Sequence, residues 1–218
     1  SATTLTGDVA VDTGAGAGII TFANTLDGDG VVAQDLTLTA GTGDVVFTGT
    51  VGTASPLGDT TIVSAGDVSM IDFTAISLTS TATGLTTLGG LTQTQNDTNV
   101  VSGVITTVGT VQSAAGDITL DANTGVLTLA TGTAVQTADG SVALTGTTGI
   151  SLGANVFTGG ATGTVAITGD VTLTANVAVD TSAVTAALGG DITVTGDVDG
   201  AFAMNLDAEG DMTITGNV

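Results

Sequence analysis

The stretch GGDITVTGDVDG, Gly189 to Gly200, contains two Gly-Asp steps, each followed at once by a β-branched residue. In DITVTG (Asp191–Gly196), Ile192 and Val194 alternate with Thr193 and Thr195. That alternation puts apolar side chains on one side of a short strand and hydroxyls on the other. The phrase recurs as TGDVAV at Asp8, TGDVVF at Asp44, AGDVSM at Asp67, AGDITL at Asp117, TGDVTL at Asp170 and EGDMTI at Asp211. Each strand is about five residues long and stops at Gly, Asp or Asn, which suit turn conformations.

The recurrence is close to periodic. GIITFANTL (Gly18–Leu26) aligns with GDVVFTGTV (Gly43–Val51), and DLTLTAGTGD (Asp35–Asp44) with DTTIVSAGD (Asp59–Asp67). Phe22, Phe47 and Phe73 lie 25 and 26 residues apart, and Asp170, Asp191 and Asp211 lie 21 and 20 apart. A repeat of about 20–25 residues predicts a stacked-coil solenoid. A sandwich or barrel also uses many short strands, but it does not need equivalent residues at a fixed coil length. The expectation is a single all-β domain over residues 1–218, a right-handed parallel β-helix (β-solenoid). It would have about nine to eleven coils, roughly 45–55 Å in all, at one strand spacing per coil. An aliphatic core with Phe22, Phe47 and Phe73 stacked inside follows from that period. The nearest approach to a helical pattern is the brief TSAVTAALGG (Thr181–Gly190).

Composition excludes several functions. Among 218 residues there is no Lys, Arg, His, Cys, Trp or Tyr, and the net charge is −21. Nucleic-acid binding relies on Lys and Arg to displace phosphate counterions, and adsorption to anionic membranes needs the same cations. Membrane insertion is not expected. The uncharged stretch Gly140–Gly169 is interrupted throughout by Gly, Thr, Ser and Asn, and no Tyr or Trp girdle marks a barrel. Without Cys there is no disulfide to report on redox compartment.

Leu36–Met70, LTLTAGTGDVVFTGTVGTASPLGDTTIVSAGDVSM, and Ser113–Leu129, SAAGDITLDANTGVLTL, resemble the repeats of large bacterial surface proteins of the filamentous-haemagglutinin type. The likeness is clearest over residues 18–70. It implies a secreted, right-handed parallel β-helix serving as the stalk of an adhesin or as a fibre at the cell surface. Repeat motifs of this kind carry no binding site across.

At each Gly-Asp corner, Gly is expected to supply a positive φ, and the Asp carboxylate to cap the following turn locally. Stacking such corners sets carboxylates ~4.8 Å apart, each pair repelling by about 0.9 kcal/mol even in water. With no internal cation, salt or divalent ions would supply the counter-charge. The local calcium candidates are DGDG, with Asp27 and Asp29, and DVDG, with Asp197 and Asp199; neither completes an EF-hand loop. No other cofactor is indicated.

Catalysis is not expected, because the usual bases and nucleophiles are missing and only carboxylates remain. A polysaccharide-acting β-helix enzyme is the reading such carboxylates would allow. An ice-binding or glycan-binding β-solenoid is a third reading. Thr-x-Thr pairs recur at Thr37/Thr39, Thr172/Thr174, Thr193/Thr195 and Thr213/Thr215, although Thr is also an ordinary strand residue. The first and last residues both read as repeat text, so self-association through uncapped end coils, or continuation into longer sequence, is expected. Residues 73–169 hold only four acids, Asp97, Asp117, Asp121 and Asp139, and form a candidate lateral contact surface. The sequence therefore reads as a non-enzymatic, extracellular structural protein.

Overall fold

Alternating apolar and hydroxyl side chains, cut short by Gly and Asp, give mostly strands of three to five residues that turn a corner and continue on a new face; Leu57–Ala65 (9 residues) and Phe73–Ala82 (10 residues) run on through a corner. One turn shows the plan. Ile118–Ala122 lies on a first face, Val126–Leu129 on a second and Ala134–Thr137 on a third. The chain then returns to the first face as Val142–Gly146, parallel to the strand it left, with Ile118 opposite Val142 and Leu120 opposite Leu144. The computed structural model describes residues 2–160, 162–182 and 190–218. Over these it is a parallel β-solenoid of about nine turns, about 23 residues per turn. Residues 183–189, most of the segment with the nearest helical pattern, lie outside the described residues.

The second face is a continuous nine-stranded sheet from Ile20–Phe22 to Val198–Asp199. Coil length is less regular than the sequence period implied. Equivalent corner residues are 27 apart from Asp8 to Asp35 but 18 apart from Asp59 to Ser77. Most pairings keep one register while the loops change length, with shifts after Leu38 and after Ile62 on the first face.

The core runs along the axis. In the turn beginning at Ile118, the inward residues Ile118, Leu120, Leu127 and Val135 are all buried. Each such side chain contributes about 1.5–3 kcal/mol relative to exposure. Phe22 and Phe47 are register partners on the second face and stack at 5.1 Å with rings 6° from parallel. Phe73 does not extend that stack. It sits on the third face, opposite Thr92, and meets Phe47 edge-on at 6.2 Å and 70°. The spacing of 26 residues thus crosses from one face to another. Asp170 behaves likewise: its true repeat partner is Asp197, whereas Asp191 and Asp211 share a different corner.

Nor is the core purely aliphatic. In the short middle turns, Thr60, Ser80, Thr92 and Thr107 point inward, fully buried, with no hydrogen-bond partner for their hydroxyls. Thr86 bonds Ser102 at 3.1 Å, and Thr94 bonds Thr98 at 2.8 Å. Thr has nearly the shape of Val and the same preference for strands, so it fits the narrow coil but brings a polar atom into the core.

Candidate functional site

The position that opens the first face is Asp, Ser or Thr along the solenoid: Asp8, Asp35, Asp59, Ser77, Asp97, Asp117, Ser141, Thr164, Asp191, Asp211; Asp59 and Ser77 lie within the long strands Leu57–Ala65 and Phe73–Ala82, the others just before a strand. Seven of these side chains, those of Asp8, Asp35, Asp59, Asp97, Asp117, Ser141 and Asp191, accept a hydrogen bond from the coil that follows. Asp8 Oδ1 accepts the main-chain N–H of Asp35 at 3.0 Å, and Asp35 accepts that of Asp59 at 2.8 Å. Asp59 accepts the Ser77 hydroxyl at 2.8 Å. Asp97 accepts from Asp117 at 2.9 Å, Asp117 from Ser141 at 2.8 Å and Asp191 from Asp211 at 2.8 Å. At the corner the main chain leaves the sheet, so its N–H needs an acceptor other than a ladder carbonyl. The carboxylate one coil earlier supplies it.

The second corner repeats the device at its two ends. Asp44 accepts from Asp67 at 3.0 Å, Asp67 from Leu85 at 2.8 Å, and Asp170 from Asp197 at 3.0 Å. Between them the corner position is held by Leu85, Val104, Val126 and Gly149, the three side chains each more than a third exposed. This apolar column is the structural counterpart of the acid-poor middle. At the third corner Asp72 accepts from Leu91 at 2.9 Å and Asn155 from Ala178 at 2.9 Å.

Two expectations about Gly-Asp are thereby corrected. Local capping occurs at Asp12, Asp29 and Asp180, but the recurrent corner carboxylates reach across 18–27 residues. The corner glycines mostly serve close packing instead of positive φ. Gly169 and Gly196 do have φ of 127° and 126°. At Gly116 and Gly190 φ is not positive, yet a Cβ would run into the main chain of Asn96 and Gly163 one coil earlier.

Of the four calcium candidates, Asp27 accepts the Ala54 N–H at 3.0 Å, and Asp199 accepts the Gly200 N–H at 2.6 Å. Asp29 Oδ1 accepts from Val31 at 2.9 Å, Val32 at 3.3 Å and the Gln34 amide at 2.8 Å. The Val31 N–H, then Gln34, hold its carboxyl below the ordinary value. Asp197 accepts the main-chain N–H of Asn217 at 2.8 Å and its side-chain amide at 3.1 Å, and these in that order lower its pKa. Among the described residues, no three acidic side chains group around a common point.

The Thr-x-Thr pairs separate. Thr37/Thr39, Thr193/Thr195 and Thr213/Thr215 are on the first face, but Thr172 is on the second. Asn99, Ala143 and Ala166 interrupt the first-face column between them.

Sequence reasoning missed a groove on the third face. Its outward column is Gln93, Gln112, Gln136 and Phe157, consecutive register partners. The signal was present in TQTQND, VQSAAGD and VQTADG, which place a Gln at the same point of successive coils. Beneath it runs a column of buried hydroxyls that close the corner. Ser113 donates to the Asn96 carbonyl, Thr137 to that of Gly116 (both 2.7 Å) and Thr158 to that of Gly163 at 2.9 Å.

No protein-family model, curated protein or solved structure matches the chain.

Proposed function

We propose that the chain is a rigid, non-enzymatic structural segment of an extracellular surface fibre or adhesin stalk. The observation that carries this reading is the corner ladder. It commits most of the aspartates, the chain's main chemical resource, to repeating one coil-to-coil hydrogen bond along the axis. The resemblance to filamentous-haemagglutinin-type repeats supports the same role and an extracellular, bacterial setting. External salt or calcium supplies the counter-charge for a polyanion with no cation of its own.

Self-association through the end coils belongs to this reading. Met212 and Ile214 continue the inward columns of Ile192 and Val194, yet they are 47 % and 37 % exposed where those partners are fully buried. Gly7-Asp8-Val9-Ala10-Val11 has the same pattern as Gly210-Asp211-Met212-Thr213-Ile214. Any coil that follows, of longer sequence or of a second copy, would cover those side chains; a second copy would do so with Val9 and Val11 and set the Asp8 N–H over the Asp211 carboxylate.

Electron microscopy of the purified chain, with calcium and then with chelator, tests the proposal. Straight rods of one strand spacing per coil, ~4.8 Å, singly or end to end, support it. Compact particles, or hydrolysis of any polysaccharide in a parallel assay, overturn it.

A further inference from the structure

The third-face groove has a volume of about 400 Å³ and lies between the Gln column and the corner main chain at Ala114, Ala138 and Gly159. Gln136 Nε2 donates to Gln112 Oε1 at 3.1 Å. A carboxamide has two donor hydrogens and two acceptor lone pairs, so this single bond leaves most of the ladder's capacity open to the groove. The floor is fixed in advance. Ser113 donates to Asn96 and accepts the Gly116 N–H at 2.9 Å, and Thr137 is committed to Gly116. Phe157, half-buried, adds an aromatic surface to the row, and the next register position beyond it is Asp180, outside the groove lining.

Charge narrows the ligand class. No ionisable side chain lines the groove, although the chain carries −21 overall. Asp97, Asp117 and Asp139 follow on the adjoining corner loops and repel anions. A peptide strand would want an open sheet edge or deep apolar pockets for its side chains. The groove instead presents evenly spaced amides, one per coil at ~4.8 Å, and a flat ring.

We propose that this groove binds a linear neutral polysaccharide laid along the solenoid axis. Its hydroxyls pair with the amides of Gln93, Gln112 and Gln136, and the C–H face of one pyranose rests on Phe157. Successive pyranose units advance by a distance close to one coil, so neighbouring sugars meet neighbouring glutamines. The proposal does not depend on the stalk reading, and an unassembled monomer would serve equally.

The experiment is a calorimetric titration of the folded chain with hexasaccharides of cellulose, xylan, laminarin and amylose, and with polygalacturonate. Saturable binding of at least one neutral hexamer is expected, with no response to polygalacturonate. Phe157→Ala and Gln136→Ala should each weaken it roughly tenfold or more, the scale of one lost contact of about 1.4 kcal/mol. Phe202→Ala, an exposed ring outside the groove, should leave it unchanged. Gln136→Glu retains size and shape and serves if Phe157→Ala does not fold; it should also abolish tight binding. Absence of binding by every neutral hexamer at millimolar concentration overturns the proposal. So does equal binding of polygalacturonate, or indifference to the groove substitutions.

Discussion

The Asp97 carboxylate accepts the main-chain N–H of Asp117, 2.9 Å away in space and 20 residues on in sequence. Asp117 in turn accepts from Ser141, so one residue both donates to the coil before it and receives from the coil after it. This makes the corner aspartates load-sharing links between coils. It also reduces the carboxylate repulsion expected from the sequence, because each charge faces an N–H dipole.

Asp117→Ala should therefore lower stability by about 1 kcal/mol, the usual net worth of a hydrogen bond. Asp117→Asn keeps an acceptor oxygen and should recover most of that loss. Urea unfolding in 1 M NaCl, where charge repulsion is screened, measures both. Equal destabilisation by Ala and Asn would show that the acceptor is not what matters.

Gly116→Ala should be costly, about 1–3 kcal/mol as for other overpacked sites, because the new methyl meets the Asn96 main chain. Gly7→Ala, where a Cβ has open space, should change stability by less than about 0.5 kcal/mol. Thermal melts of the two variants side by side give the contrast directly.

Thr107→Val should stabilise the chain by about 1–2 kcal/mol. It removes a buried hydroxyl with no partner and leaves the side chain's shape nearly intact. A fall in the urea midpoint would mean that the hydroxyl has a partner in solution.

The Asp197 and Asp29 carboxyls should titrate below the ordinary Asp value of 3.8 in carbon-detected NMR. A depressed folded-state pKa contributes stability that is complete above the unfolded value and is lost as pH falls through the folded one. Both contributions therefore hold at pH 5–7 and disappear only below about pH 4. Midpoints at or above the ordinary value would remove this source of acid sensitivity.

Melting temperature should rise from low salt to 1 M NaCl as the screening length falls to ~3 Å. Calcium should raise it further at equal ionic strength if divalent ions are the preferred counter-charge. No difference between calcium and sodium at matched ionic strength would limit the requirement to screening.

Much of the architecture was legible because solenoid stacking writes itself into sequence: the same corner text returns once per coil. Ile192 and Val194 against Thr193 and Thr195 marked the inward and outward sides, and Asp191 to Asp211 marked a true coil length. Faces were harder to separate. All three faces use the same short alternating strands, so Phe73 looked like the third of a stack when it belongs to the neighbouring face. The direction of the carboxylate bonds was hidden for a different reason. An Asp at a corner can accept an N–H from its own turn or from the coil that follows, and only the stacking of coils decides which amide lies within 3 Å. The groove left a fainter trace because its ladder is neutral: Gln93, Gln112 and Gln136 are ordinary strand-surface residues until coil register sets them in one column.

The corner bonds of Asp8, Asp35, Asp97, Asp117 and Asp191 all have one polarity: the earlier coil holds the acceptor and the later coil brings the N–H. A chain that becomes available from its amino end would thus find each completed coil already displaying the docking point for the next. Each incoming corner N–H then meets a carboxylate already in place, and the incoming corner carbonyl closes the open N–H of the strand before it, as Asp117 does for Thr98. Assembly would be vectorial, with every finished turn acting as the template for its successor.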